Sequence, residues 1–285
     1  MKGAHIAGVG SRIIHIADSH NNIDFPAWLL YPSTQTPIDT HIGPFPISVC
    51  PEGPIAEGQF PLVIISHGGG GSHLLYRTIA LHLAGNGFFV AMPEHYGNNR
   101  TDNSLGDTDR NIALRTHHIS LLIDELLNAT DGPSGSRLGL IGHSMGGATA
   151  LAMAGAKPWS RQRLPIPVTS DNRIAALVLL APATAWFQHP DSFEEITVPI
   201  LAYRAQHDSI TPRWQTELLV EKKKVGPVPI IREVPGAGHL SFLAPYPESM
   251  KRPDFPPSQD PPGFDRVTFH ETLKSEILEF LGGLL

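Results

Sequence analysis

Residues 137–156 read RLGLIGHSMGGATALAMAGA and join a short apolar strand to an Ala-rich helix through a glycine-flanked turn around Ser144. The turn has the pattern G-x-S-x-G, which in a strand–turn–helix context holds a serine hydroxyl at the apex of a sharp bend. Neighbouring chains approach so closely there that only small residues fit at Gly142 and Gly146. The stretch therefore predicts an α/β fold with a nucleophilic serine at the carboxyl end of a strand.

The composition is that of a folded, charge-poor chain. Its 285 residues include 21 Lys and Arg against 27 Asp and Glu, a formal charge of −6, with 41% hydrophobic and 17% charged residues. This balance excludes a disordered chain, and the length suits one elaborated α/β domain. Apart from residues 222–224, the basic residues are scattered. We therefore expect no nucleic-acid partner.

Cysteine usage and hydropathy restrict the class of protein further. Cys50 is alone, so an intramolecular disulfide framework and a four-thiolate metal site are both excluded. The first 18 residues, MKGAHIAGVGSRIIHIAD, lack the uninterrupted apolar region of a secretory signal. No run approaches the roughly 18 apolar residues that a membrane helix needs. The sequence thus predicts a cytoplasmic protein with no membrane span, and it leaves the oligomeric state open.

Short Val-, Ile- and Leu-rich runs alternate with helical patterns, which is typical of parallel strands joined by crossover helices. The pattern predicts an antiparallel edge strand over 24–31, core strands over 61–67, 88–93, 137–141, 174–180, 199–204 and 229–234, and helices over 73–84, 109–128 and 266–285. We therefore expect a three-layer α/β/α sandwich around a mostly parallel sheet, forming one domain over residues 1–285.

Three Pro-containing segments interrupt this alternation, and we expect them to be loop or lid insertions near 157–172, 183–197 and 243–265. Loops longer than about 12–15 residues are uncommon inside compact domains and are often functional. The third segment, LAPYPESMKRPDFPPSQDPPGFD, is the longest and the best candidate for a lid. An ordinary surface loop is the alternative interpretation of each segment.

A nucleophilic serine needs a base, and the base needs an acid that orients it. In this fold the chain order is serine, acid, histidine. His239 lies in the Gly-rich turn PGAGHLSF after the last predicted core strand, and Asp208 follows the predicted strand before it. We predict His239 as the base and Asp208 as the acid, with Asp191 as the alternative acid.

The run SHGGGGS, residues 66–72, ends the first predicted core strand. A four-glycine run could be a phosphate cradle, but no Gly-Lys-Ser/Thr follows it and no G-x-G-x-x-G is set in a βαβ unit. Glycines at this position allow a backbone N–H to approach a substrate carbonyl. We therefore predict an oxyanion hole formed by the amides of Gly69 and Met145.

Four segments in this order, SHGGGG, GHSMGG, TVPILAYRAQHDSITP and GAGHLSF, resemble the α/β-hydrolase superfamily. Within it they are most similar to the dienelactone-hydrolase-like and platelet-activating-factor-acetylhydrolase-like serine esterases, over most of the chain from about Phe25. The resemblance implies that Ser144, Asp208 and His239 form a catalytic triad. Dienelactone hydrolases proper use a cysteine nucleophile, so their lactone substrate is not carried over. GHSMGG and GAGH are also similar to bacterial cutinases and polyester hydrolases, which leaves an extended ester open.

These motifs together predict a serine hydrolase that cleaves a small-molecule carboxylic ester through an acyl-enzyme. We expect no cofactor and no metal, since the 15 His include no H-E-x-x-H pattern. Substrate contacts are predicted from side chains just after strand ends, and the low charge of those loops favours an apolar acyl or aryl group; the residues are His95, Tyr96, Trp186, Phe187 and Phe242. Thioesterase, lactonase, amidase and acyltransferase activities remain open, as does a non-catalytic ligand binder.

Overall fold

Ten strands form one sheet in the computed structural model, which describes residues 5–285. In chain order they are β1 (Gly8–Asp18), β2 (Ile23–Ser33), β3 (Ile38–Ile42), β4 (Phe45–Pro51), β5 (Leu62–Ser66), β6 (Phe89–Pro93), β7 (Leu138–His143), β8 (Ile174–Leu180), β9 (Ile200–Ala205) and β10 (Ile230–Val234). Their spatial order is β10-β9-β8-β7-β5-β6-β2-β1-β4-β3. The six strands β5 to β10 pair in parallel, and β2 joins them antiparallel to β6.

Within residues 5–285, five α-helices cover the two faces of the sheet. They are α1 (Arg77–Gly85), α2 (Asp109–Asn128), α3 (Met145–Met153), α4 (Trp214–Lys222) and α5 (Arg266–Gly282). Apolar residues of α2, α3 and α4 share one buried cluster with the sheet, and those of α1 and α5 share the other. The molecule is therefore a three-layer α/β/α sandwich, as the alternating apolar pattern predicts.

The parallel part of the sheet lies where the sequence predicts it, because strands covered on both faces read as continuous apolar runs. Every side chain of β5, β6, β7 and β8 is buried, and α2 has the predicted bounds. The helix predicted over 73–84 begins instead with a 3₁₀ turn, His73–Tyr76, before α1.

The edge position predicted for residues 24–31 is wrong. These residues lie in β2, which is antiparallel as expected but is flanked by β6 on one side and by β1 on the other. The pairing with β1 runs over eleven residues, from Gly8 opposite Ser33 to Asp18 opposite Ile23. The sequence analysis did not predict β1, β3, β4 or α4.

The three Pro-containing segments lie outside the sheet. The segment 243–265 is fixed at both ends: the Arg77 guanidinium donates to the carbonyl of Pro245, and Arg266 binds the carboxylate of Asp260 at 2.9 Å. Whether this segment moves as a lid stays a prediction. In the described part of the chain, every helix is too short or too polar to cross a bilayer.

Candidate active site

Ser144 stands at the junction of β7 and α3 in a backbone conformation that side chains rarely adopt. Its φ is 53° and its ψ is −117°. Four backbone hydrogen bonds hold this strained turn: the Ser144 amide donates to the carbonyl of Leu180 (3.0 Å), and the Ser144 carbonyl accepts from the amides of Gly147 (2.9 Å), Ala148 (3.2 Å) and Ala183 (3.0 Å). Strained residues of this kind persist only where the surroundings fix them, and they cluster at functional sites.

Glycines make the turn possible. A Cβ on Gly142 would overlap the carbonyl of Gly146, and a Cβ on Gly146 would overlap the carbonyl of Ser66 at the end of β5. A Cβ on Gly147 would lie 2.8 Å from Pro182. The close approach that the G-x-S-x-G pattern predicts is therefore present between β7, α3 and the loop after β5.

Asp208 and His239 form a buried pair at the same edge of the sheet. Nδ1 of His239 lies 2.8 Å from Oδ2 of Asp208, and both residues are 8% exposed. The other carboxylate oxygen accepts the amides of Ile210 and Thr211, each at 2.8 Å, and the Thr211 hydroxyl donates to Oδ2 at 2.8 Å. Burial raises the pKa of Asp208, but the hydrogen bonds from His239 and Thr211 lower it more, so the net pKa lies below its ordinary value of 3.8.

The alternative acid lies elsewhere. The Asp191 side chain is 58% exposed, and its carboxylate faces His189 at 3.7 Å. The structure thus brings Asp208 to His239 and leaves Asp191 on the surface.

No hydrogen bond joins Ser144 to His239 within residues 5–285, and such contacts are often long when no substrate is bound.

His143, directly before Ser144, forms hydrogen bonds to His239 and to Tyr76. Its Nε2 lies 3.1 Å from the carbonyl of His239, and its Nδ1 lies 2.8 Å from the hydroxyl of Tyr76. A carbonyl only accepts, so Nε2 carries the proton, and the Tyr76 hydroxyl donates to Nδ1 while accepting the amide of Gly68 at 3.2 Å. Burial lowers the pKa of His143 to about 3, which keeps the ring neutral in this role.

Two backbone amides lie beside Ser144 without protein acceptors. In the part of the chain that the structure describes, the amides of Gly69 and Met145 donate to no protein group. A Cβ on Gly69 would lie 3.7 Å from that of Met145, so the two peptides are neighbours. Met145 is also the first residue of α3, where the helix dipole favours negative charge.

Two residues that were not predicted as site residues support this arrangement. Tyr76 forms a hydrogen bond to His143, and Thr211 forms one to Asp208. Thr211 lies three residues after Asp208 in the quoted segment HDSITP, a spacing at which a hydroxyl and an amide can both reach an aspartate. That local signal could have identified Thr211, whereas the contact of Tyr76 with His143 spans 67 residues and has no local signal.

The residues predicted to contact substrate divide into two groups. His95, Phe187 and Phe242 are at most 1% exposed: His95 bonds the Ser66 hydroxyl at 2.8 Å, and Phe187 packs against Phe193. Tyr96 is 43% exposed, and Trp186 lines an open groove. Tyr96 and Trp186 are thus the members of the set that are not buried, and contact of these five residues with substrate stays a prediction.

This groove has a volume of about 700 Å³ and lies between the segments 157–172 and 183–197. The Trp159 amide donates to the Trp186 carbonyl at 2.8 Å, which joins the two segments. The Trp159 ring also stacks on His189, with centroids 3.7 Å apart. Arg161 and Arg163 contribute to the lining, so the groove combines aromatic walls with positive charge.

No group of three or more His, Cys, Asp or Glu side chains in residues 5–285 is placed to hold a metal ion.

The chain is similar in sequence to known proteins. A family model described as alpha/beta hydrolase fold matches residues 61–211, and the chain belongs to that family. The chain is 32% identical to Chlorophyllase-2 of Arabidopsis thaliana over 105 residues, which is 35% of this chain and about a third (31%) of that protein.

Solved structures share the fold at low sequence identity. A ferulic acid esterase from Streptomyces cinnamoneus has a TM-score of 0.76 at 18% identity, covering 98% of this chain and 90% of that one. A dienelactone hydrolase-like promiscuous phosphotriesterase from metagenomic libraries has a TM-score of 0.62 at 14% identity, covering 96% and 99%. A dienelactone hydrolase from Anabaena variabilis has a TM-score of 0.56 at 15% identity, covering 93% and 95%. The predicted resemblance to the α/β-hydrolase superfamily is confirmed, and the two dienelactone-hydrolase-like structures share the fold of this chain.

Proposed function

We propose that this protein is a serine hydrolase that cleaves carboxylic esters. The observation that carries the proposal is the buried hydrogen bond between Asp208 and His239 at the sheet edge where Ser144 occupies a strained turn. A buried carboxylate that accepts Nδ1–H fixes the tautomer of the imidazole and leaves Nε2 to take a proton. This is the arrangement that activates a serine hydroxyl, which is not nucleophilic by itself at neutral pH.

In the proposed mechanism, Ser144 Oγ attacks the ester carbonyl while His239 Nε2 accepts its proton. The negative charge on the carbonyl oxygen is stabilised by the amides of Gly69 and Met145, each worth about 3–4 kcal/mol in the transition state. His239 then protonates the leaving alcohol. A water molecule, deprotonated by the same nitrogen, attacks the acyl-enzyme and releases the acid and Ser144. Asp208 remains ionised throughout and stabilises the imidazolium.

The choice of an ester is supported by the names of two relatives, the ferulic acid esterase and Chlorophyllase-2. The lining of the groove between Trp159 and Trp186 does not include Ser144 or His239, and we propose that the groove receives the acyl or aryl part of the substrate that extends away from the reacting carbonyl. Trp186 supplies one of its walls, so Trp186→Ala is expected to raise KM for aryl esters and to leave KM for acetyl esters unchanged.

The test of the proposed activity uses a fluorophosphonate probe and intact mass. We expect one adduct on the wild-type chain and none on Ser144→Ala, with a known serine hydrolase as the labelling control. An unlabelled wild-type chain beside a labelled control would contradict the serine mechanism. Retention of activity in EDTA is expected, because the proposed chemistry uses only protein groups.

An ester chain-length series then tests the substrate class, with Ser144→Ala as the blank. Turnover that persists or rises from acetyl to octanoyl supports the apolar pocket. Turnover that peaks at acetyl and vanishes by octanoyl contradicts it. Acyl thioesters and added alcohol acceptors in the same series separate ester hydrolysis from thioesterase and acyl-transfer activity.

A further inference from the structure

Arg115 is a buried cation on the apolar face of α2. It is 1% exposed and lies one turn from Ile112 and Ile119, which are both fully buried. No carboxylate pairs with it in the described part of the chain, and burial lowers its pKa to about 9. A buried charge without a counter-ion is costly and is retained where it has a specific role.

The guanidinium binds the loop that follows β5. It donates to the carbonyl of His67 at 2.7 Å, to the carbonyl of Gly68 at 3.3 Å and to Oδ1 of Asn98 at 2.6 Å. A further N–H reaches Oδ1 of Asn111 at 3.3 Å. All the acceptors are neutral oxygens, and two of them belong to the backbone directly before Gly69.

The carbonyl of Gly68 receives two other donors besides Arg115. The amide of Gly71 donates to it at 3.2 Å, and Nδ1 of His67 lies 2.7 Å away. Nε2 of His67 accepts the amide of His95 at 3.0 Å, so in the neutral ring Nδ1 carries the proton and donates. Three donors thus fix the direction of one carbonyl.

The direction of that carbonyl determines the direction of the Gly69 amide. The described backbone has no cis peptide bonds, and in a trans peptide the C=O and the N–H point in opposite directions. Because the Gly68 oxygen is held toward Arg115, the Gly69 N–H is directed away from it. This N–H is one of the two amides near Ser144 that have no protein acceptor.

We propose that Arg115 is a positioning residue that orients the Gly68–Gly69 peptide as a donor to the oxyanion. The proposal rests on the serine hydrolase function proposed above. The buried positive charge also polarises the same peptide, because it lies at its oxygen end, in surroundings that screen charge weakly. Arg115 therefore acts on the transition state through the backbone of Gly69 and does not contact substrate.

The test compares Arg115→Met with Arg77→Met. Arg77 is a second buried arginine, 6% exposed, that also donates to backbone carbonyls but does not bind the Gly68–Gly69 peptide. We expect Arg115→Met to lower kcat about 100-fold and to change KM less than about twofold, the pattern of an interaction made only in the transition state. Arg77→Met, which loses a contact to segment 243–265 and none to the Gly68–Gly69 peptide, should lower kcat per folded molecule much less than Arg115→Met does.

A trifluoromethyl ketone with the acyl chain of the best ester substrate provides an independent readout. It forms a hemiketal on Ser144 whose oxyanion occupies the same position as that of the intermediate. Its inhibition constant should rise in Arg115→Met by the same factor by which kcat falls. A loss that appears only in KM, or an equal loss of kcat in Arg77→Met, would overturn the proposal.

Folding and function are separated by two further measurements. If Arg115→Met does not fold, Arg115→Lys takes its place, because lysine keeps the charge and can reach one carbonyl. A partial loss of kcat is expected for Arg115→Lys. A wild-type kcat in this variant would contradict the positioning role of Arg115. If the wild-type chain hydrolyses no ester and takes no fluorophosphonate, the proposed function fails and this inference fails with it. If the wild-type chain is active and a folded Arg115→Met is equally active, this inference alone fails.

Discussion

Nδ1 of His239 lies 2.8 Å from Oδ2 of Asp208, and this contact determines which imidazole nitrogen is left to face the edge of the sheet. The carboxylate accepts four hydrogen bonds in all, two from backbone amides and one each from His239 and Thr211. A carboxylate so fully bonded is stable in its ionised form although it is buried.

Asp208→Asn should abolish most of the activity without unfolding the chain. The amide of asparagine can donate to Nδ1 and so favours the wrong tautomer of His239, which costs about 10⁴-fold in kcat where this geometry is catalytic. Asp191→Asn is the control, because its carboxylate is exposed and faces His189. Steady-state kinetics with circular dichroism checks both variants, and an active Asp208→Asn would refute the assigned acid.

Thr211→Val should shift the pH dependence of the reaction. The Thr211 hydroxyl donates to the Asp208 carboxylate at 2.8 Å and is one cause of its lowered pKa. Without this donor the pKa of Asp208 rises, so on acidification the carboxylate is protonated, and activity is lost, at a higher pH than in the wild type. We expect kcat at neutral pH to fall at least about tenfold, because one hydrogen bond to a charged group contributes about 1.5–3 kcal/mol.

Thr211→Ser is the rescue variant for this prediction, because it restores the hydroxyl but not the methyl group. The acid limb of kcat/KM against pH should return toward its wild-type position. A profile of Thr211→Val that coincides with that of the wild type would show that the hydroxyl does not act on Asp208.

Gly146→Ala should destabilise the chain and inactivate it together. The added methyl group would overlap the carbonyl of Ser66, so β5 and α3 would have to separate. Overpacking of this kind costs about 1–3 kcal/mol in the free energy of unfolding. Gly282→Ala adds the same methyl group where nothing lies within 4 Å, and urea unfolding of the two variants makes the comparison. Equal midpoints would contradict the close approach at the turn.

Buried histidines should make the fold sensitive to acid. Burial lowers the pKa of His270 from 6.5 to about 4, so the unfolded chain takes up its proton before the folded chain does. The contribution to stability is fully present above about pH 6.5 and is lost as the pH falls through 4. His270→Gln should therefore show a shallower fall in the free energy of unfolding over this interval. His41→Gln, at an exposed histidine of β3, is the control, and equal slopes would count against the prediction.

The sequence predicted the parts of this structure that depend on local pattern. The doubly covered strands β5 to β8 are continuous apolar runs, and the glycines of the turn at Ser144 lie within the six residues 142–147. The β1 strand was missed because polar and glycine residues interrupt its apolar pattern, and its stability comes from pairing with β2 along its whole length. The α4 helix has nine residues, too few to show a helical period clearly.

In the candidate site, the acid and the base follow from chain order and turn position, whereas the supporting contacts do not. Arg115 binds carbonyls 47 and 48 residues away, and Tyr76 binds His143 across 67 residues. Such contacts depend on the packing of helices against the sheet, which no local pattern encodes. The sequence does place Arg115 on an otherwise apolar face of the helix predicted over 109–128. A charged residue at such a position indicates a buried polar role.

The conformation of Ser144 sets the stability of the chain against its proposed function. Its φ of 53° and ψ of −117° suit glycine better than serine, and strain of this kind costs about 1–3 kcal/mol. A population selected only for resistance to heat would be expected to accumulate Ser144→Gly, which relieves the strain and removes the hydroxyl. Under the proposed function, thermal stability and ester hydrolysis therefore make opposite demands on this one residue.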